Sequence, residues 1–211
     1  MKLQGLYAVT DARLCAGMGV EAAVREALEG GARAIQYRDK GGDRVRRRRE
    51  AEALVTLCGE YGVPLIVNDD VPLAAAAGAA GVHLGRGDMA IAQARRLLGA
   101  TVIIGVSCYA DLQRAHNAVA EGADYVAFGR FFVSATKPGA APAPLELLRE
   151  AHRVLSVPVV AIGGITPENG RQLVAAGADM LAVVQSVFGQ PDVRAASRLI
   201  ADLFILEESP S

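Results

Sequence analysis

The sequence predicts an α/β protein whose parallel strands close into a single (β/α)8 TIM barrel, and three observations carry that prediction. Short apolar runs alternate with segments of helical three-and-four spacing from one end of the chain to the other. The alternation gives eight strand–helix units, the number that closes a barrel, and 211 residues suffice to build one. Third, "EGGARAIQYR", "AAGAAGVHLG", "AEGADYVAFG" and "VAAGADMLAVV" each set a Gly-Ala step ahead of an apolar strand, before strands 2, 4, 6 and 8. Glycine at a helix end supplies a left-handed cap, and the small residue after it permits a tight turn into the strand. A doubly wound open sheet is not expected to repeat every second unit in this way.

The strands expected, in order, are Leu6–Thr10, Ala34–Arg38, Pro64–Asn68, Gly81–Leu84, Val102–Ser107, Tyr125–Gly129, Val157–Gly163 and Met180–Val184. Each is a brief apolar run, as a parallel sheet buried on both faces requires. Helical spacing places helices at Glu21–Glu29, Arg44–Tyr61, Ala90–Leu98, Asp111–Glu121, Leu145–Leu155 and Glu168–Ala176. A short alanine-rich helix is expected over Val71–Ala79, and a last one over about Asp192 to Leu206. No composition shift splits the chain, so residues 1–211 read as one domain.

Composition excludes several functions. The 22 basic and 23 acidic residues leave a net charge of −1, so no whole-molecule field draws the chain to nucleic acid or anionic lipid. The run "RVRRRRE" is matched by nearby Glu50 and Glu52 and reads as a solvated helix face. Apolar runs fall short of the roughly 20 residues a membrane span needs, and the N-terminus lacks a signal-peptide pattern. Cys15, Cys58 and Cys108 form no CxxC pair and read as reduced core residues. A cytoplasmic location is expected.

Barrel enzymes carry their sites at the C-terminal ends of the strands. There this chain places Gln36, Arg38, Asp39 and Lys40, then Asn68, Asp69 and Asp70, then His83, Arg86 and Asp88, then Ser107, Arg130, Gly163 and Gly164. Asp69 and Asp88 end adjacent strands and can share a hard cation such as Mg²⁺, which takes one or two carboxylates plus phosphate and water. The competing reading of the same acids is a rim salt-bridge network, with Asp capping a helix. Lys40, Arg38 and Lys137 suit a polyphosphate. Gly163 and Gly164 can bring bare amides to an anion, and Thr166-Pro167 opens a helix behind them. His83 reads equally as a ligand contact or as a packed, hydrogen-bonded barrel residue. His116 and His152 read as surface residues on helices.

The pieces "QYRDK", "VNDD", "GVHLGRGD", "IGVSC", "DYVAFGRFFVSATKP", "VPVVAIGGITPEN" and "AGADMLAVVQS" occur in that order, each at a strand end. Through them the chain resembles the thiamine-phosphate synthases over nearly its whole length. That resemblance implies a Mg²⁺-dependent alkyl transferase. It would join 4-amino-2-methyl-5-hydroxymethylpyrimidine diphosphate to a thiazole phosphate and release pyrophosphate. Gln36 would then hold the pyrimidine, within a segment that also includes Tyr37 and Asp39. Arg38, Lys40, Asn68, Ser107 and Lys137 would hold the diphosphate, with Arg38, Ser107 and Lys137 carrying catalysis. Asp69 and Asp88 would ligate Mg²⁺, leaving Asp70 to cap the next helix. Ser134, Ala135, Thr136, Gly164, Val184 and Gln185 would take the thiazole phosphate. The implied partners are small molecules, with neither nucleic acid nor membrane among them.

The chain departs from the family pattern at three of these positions, with Arg130 where Pro is common, Ser134 for Thr, and Gln185 for Ser. Two alternatives stand beside the synthase: a thiazole tautomerase on the same barrel, and a phosphate-ligand sensor without catalysis. The tautomerases commonly lack the diphosphate and metal set that Lys40, Asn68, Asp69, Asp88 and Lys137 supply.

Overall fold

The computed structural model describes residues 3–132 and 142–207. Eight parallel strands hydrogen-bond in sequence order and close, β8 pairing with β1. They are β1 Gly5–Val9, β2 Ala34–Tyr37, β3 Leu65–Asn68, β4 Gly81–Leu84, β5 Ile103–Tyr109, β6 Tyr125–Gly129, β7 Val159–Ile162 and β8 Met180–Val183. Helices α1 Val20–Glu29, α2 Arg44–Glu60, α3 Val71–Ala77, α4 Ile91–Leu98, α5 Leu112–Ala120, α6 Leu145–Val154 and α7 Pro167–Ala175 connect them. The predicted barrel is therefore the observed one. Each expected strand is found within a few residues of its place.

The ends differ in two ways. The last expected helix is α9 Val193–Ala201 continued by a 3₁₀ turn, Asp202–Glu207, rather than one α-helix. A four-residue helix, α8 Gln185–Phe188, follows β8 where no helix was expected. Its shortness explains the miss, since one turn carries no periodicity.

The repeated Gly-Ala step acts as the sequence suggested. Gly31, Gly78, Gly122 and Gly177 all have positive φ, between 69° and 99°. The alanines that follow donate back into the preceding helix: Ala32 to Ala27, Ala79 to Ala74, Ala123 to Ala118 and Ala178 to Leu173. This satisfies carbonyls a helix end leaves open. Asp124 and Asp179, next in two of the repeats, then accept the amides of Ile104 and Val159 at 2.7 and 2.8 Å.

Alternation along each strand sorts the core into two layers. Leu6, Ala8, Ile35, Val67, Val82, Ile104, Val126, Phe128 and Leu181 pack with the helices. Tyr7, Val9, Ala34, Ile66, Tyr125, Ala127, Val160, Met180 and Ala182 fill the barrel. Gly105 is what lets Tyr125 enter, because a Cβ there would lie 1.9 Å from the ring carbon Cζ. Cys15, Cys58 and Cys108 are free and buried, and burial pushes the Cys58 and Cys108 thiols up to about 12. Among the described residues no helix is long and apolar enough to cross a membrane.

Candidate active site

Asn68, Asp69 and Asp70 leave β3 in three different roles. Asp70 caps α3, its carboxylate accepting the Leu73 amide at 3.0 Å and pairing with Arg47 at 3.0 Å. Asp69 is held at φ 63°, a left-handed conformation that Asp tolerates better than most residues. That turn sends its carboxylate to the ammonium of Lys40, with which it is hydrogen-bonded. Its amide is fixed by the carbonyl of His83 at 2.8 Å.

Asp88, in the β4–α4 connection, accepts the Gly85 amide at 2.6 Å and meets the Asp69 carboxyl. The two acids respond oppositely. Burial pushes Asp69 upward, but Lys40, the contact with Asp88 and the Asn68 amide outweigh it and hold it below the usual carboxylate range. Burial and the Asp69 carboxyl raise Asp88 against the pull of the Gly85 amide. Two facing carboxyls of this kind share a proton or a cation, because both cannot carry charge unscreened. Among the described residues no three His, Cys, Asp or Glu side chains form a cage. A pair of oxygen donors open to solvent is the donor set that Mg²⁺ uses together with phosphate and water.

The β2 end is braced from behind. Arg38 lies 3.6 Å from Asp11, and its amide donates to Thr10 Oγ1 at 2.8 Å. Tyr37 turns outward, donating its hydroxyl to Glu50 of α2 at 2.6 Å. Asp39 accepts the Gly41 amide at 2.6 Å and pairs with Arg46. The side chains of Tyr37 and Asp39 thus hold the β2–α2 connection. Arg46 and Arg47 of the basic run are likewise used inward, on Asp39, Glu50 and Asp70, while Arg48 pairs with Glu52 along the helix. The solvated face expected for this run is therefore only part of its role.

Inside the barrel Gln36 donates to Tyr7 Oη at 2.8 Å, and Tyr7 Oη lies 2.8 Å from Tyr125 Oη. His83 completes the line, with Nδ1 at 2.9 Å from Tyr125 Oη and Nε2 at 2.8 Å from Ser107 Oγ. His83 is 7% exposed and stacks on the Tyr125 ring, as a packed, hydrogen-bonded barrel residue is expected to. Burial drives its pKa down to about 4 against the attraction of Asp69, leaving it neutral. Tyr7 and Tyr125 were not singled out from sequence. Their inward strand positions were legible, but their hydroxyls, 118 residues apart, meet only on closure.

Across the same rim, Gly163 and Gly164 have φ of 106° and 66°. A Cβ at Gly163 would come within 2.3 Å of Arg130 Cβ. Thr166 and Asn169 form a reciprocal capping box at the start of α7, and Asn169 also ties the Gly164 carbonyl at 3.0 Å. Val184 caps the short α8, which Gln185 begins. Ser186 donates to the Ile165 carbonyl at 2.7 Å, joining the two turns. The peptide bond between Gly129 and Arg130 is cis. Ser134, Ala135, Thr136 and Lys137 lie outside the described residues.

The structure thus gathers Gln36, Arg38, Lys40, Asn68, Asp69, Asp88 and Ser107 on one side of the rim. Gly164, Val184 and Gln185 stand at the strand 7 and 8 turns, where many barrels hold phosphate beside a short extra helix. Fold and site together define a (β/α)8-barrel enzyme with its acids, bases and open amides gathered at the strand ends. More narrowly, the chain belongs to the thiamine monophosphate synthase family, whose profile matches residues 6–187. It is 54% identical over 195 residues to a thiamine-phosphate synthase of Nitrosococcus oceani, covering 92% of this chain and 90% of that protein. A thiamine-phosphate synthase of Thioalkalivibrio sulfidiphilus is 51% identical over 203 residues, covering 96% of each. Among solved structures, thiamine phosphate pyrophosphorylase from Pyrococcus furiosus superposes with a TM-score of 0.89 at 37% identity, covering 99% of this chain and 98% of that one. The chain is accordingly a transferase of thiamine phosphate formation.

Proposed function

We propose that this enzyme condenses 4-amino-2-methyl-5-hydroxymethylpyrimidine diphosphate with 4-methyl-5-(2-phosphoethyl)thiazole, giving thiamine phosphate and pyrophosphate. The observation that carries the reading is the Asp69–Asp88 carboxyl pair with Lys40 bound to it, beside Arg38, Asn68 and Ser107. Asp69 and Asp88 would hold Mg²⁺, which when bound supplies Lewis-acid stabilisation of charge on a diphosphate.

The protein's own groups do the rest. Gln36 would orient the pyrimidine from the barrel floor. Arg38 and Lys40 would hold the diphosphate, Lys40 exchanging its bond with Asp69 for one with a phosphate oxygen. Asn68, Ser107 and Lys137 would contact the same group. As the bond from the methylene carbon to the diphosphate oxygen breaks, the electron-rich aminopyrimidine stabilises the carbon cation, and these donors stabilise the leaving anion. The thiazole nitrogen then attacks that carbon. It carries no proton, so no general base is needed, and the neutral, enclosed His83 agrees with that. Ser134, Ala135, Thr136, Gly164 and the amides of Val184 and Gln185 would hold the thiazole phosphate. An amide site there tolerates Gln185 in place of Ser, because Ser186 is already spent on Ile165.

The test is pyrophosphate release on mixing the purified protein with both substrates and Mg²⁺, with Asp69→Ala alongside. Release is expected to need both substrates. In the variant it is expected to fall about 10²–10³-fold, the loss typical of one electrostatic stabilising group. Tight binding of the thiazole phosphate with no pyrophosphate released would overturn the reading.

A further inference from the structure

The line of buried groups running from Gln36 to Ser107 has a direction, which can be read by counting protons. Gln36 turns its amide nitrogen to Tyr7, so Tyr7 Oη accepts there and its own proton goes to Tyr125. Tyr125 Oη therefore accepts from Tyr7, and its proton has His83 Nδ1 to go to. Both tyrosines are enclosed, 1% and 0% exposed, so water offers no alternative acceptor. Were Nδ1 protonated, three protons would compete for the two contacts Tyr7–Tyr125 and Tyr125–His83. One buried hydroxyl would be orphaned, which proteins avoid. The same count excludes a doubly protonated ring. The ring proton then sits on Nε2 and is donated to Ser107 Oγ, 2.8 Å away.

We infer that Tyr125 is a positioning residue that fixes His83 as its Nε2–H tautomer and so leaves Ser107 to donate its own hydroxyl proton into the site. The group seated against Ser107 is then a hydrogen-bond acceptor, a requirement that an oxyanion meets and that an ammonium, which can only donate, does not. Gly105 belongs to the same device, since only a residue without a Cβ lets the Tyr125 ring reach across to β4. The identity of the oxyanion as a phosphate rests on the function proposed above; the tautomer does not.

The experiment is long-range ¹H–¹⁵N NMR on the ¹⁵N-labelled full chain. It has three histidines, so His83 is assigned by the signal lost in His83→Gln. The wild-type ring is expected to show a bare Nδ1 and a protonated Nε2 at neutral pH. A protonated Nδ1 there overturns the inference. In Tyr125→Phe nothing donates to Nδ1 any longer, so its ¹⁵N shift is expected to move toward that of an unbonded bare nitrogen, and an unmoved shift in a folded variant counts against the lock. Ser107→Ala is expected to keep Nε2–H, because the Tyr125 side sets it; this arm and the wild-type spectrum decide the matter if Tyr125→Phe does not fold. Calorimetric titration with inorganic pyrophosphate and Mg²⁺ gives the functional readout. Tyr125→Phe and Ser107→Ala should each weaken binding about tenfold. The double variant should be no weaker than Ser107→Ala, whereas additive losses would refute coupling through His83. If substrates give no turnover yet His83 remains Nε2–H, it is the catalytic reading that fails and the tautomer assignment that stands.

Discussion

His83 shows what enclosure does to one titratable group. In the fold its pKa lies at about 4, against an ordinary value of 6.5, because burial disfavours the charged ring. Between those values the unfolded chain takes up a proton that the folded chain refuses. Stability is therefore full above pH 6.5 and is lost as pH falls toward 4, by about 3 kcal/mol from this group. Urea unfolding at pH 7 and pH 4 should show His83→Gln losing less stability over that interval than the wild type does. An equal loss in both proteins would place the acid sensitivity elsewhere. The sequence left His83 open between ligand contact and packing because a strand-end imidazole suits either. The 2.8–2.9 Å bonds to Tyr125 and Ser107, which show how the ring is packed, form only when the barrel closes.

Among the elements, α3 is the most instructive, since one strand end must both start a helix and present an acid to the rim. Asp70 does the first by capping Leu73, and Asp69, turned to φ 63°, does the second. Asp70→Ala should cost about 1–2 kcal/mol through the lost cap, seen as a lower urea midpoint. Pyrophosphate release should persist well below the melting temperature, and Asp70→Asn should recover most of the stability. A large loss of turnover in a folded Asp70→Ala would assign Asp70 to the site as well. Adjacent acids look alike in sequence, and the resemblance to a family was needed to assign them different roles. The Gly-Ala caps were legible without help, because a positive φ is a local demand that glycine meets at each repeat. The braces from α2 were not, because Arg46 and Arg47 look no different from Arg48 until the helix is docked.

For the whole molecule, the proposed ligands bridge the ends of strands 2 to 5, which are far apart in the unfolded chain. Mg²⁺ with pyrophosphate at a hundred times Kd should add about 2.7 kcal/mol, or roughly 5–10 °C in melting temperature for a chain this size. The shift should vanish on chelation and in Asp69→Ala; a shift that survives both would place the anion elsewhere. The sequence by itself determined the barrel, its order of elements, and the rim on which Gln36, Arg38, Lys40, Asn68, Asp69, Asp88 and Ser107 fall. Those features follow from periodicity, glycine caps and strand ends, all written within a few neighbouring residues. Which side chains meet was decided by tertiary structure alone. Tyr37 and Asp39 turn back to α2, Asp69 reaches Lys40 and Asp88, and Tyr7 finds Tyr125 across the barrel. The physical reason is that strand alternation says only whether a residue points in or out. The partner it finds there is set by closure, which brings β1, β2, β4, β5 and β6 to one narrow interior and forces their buried polar groups to satisfy one another.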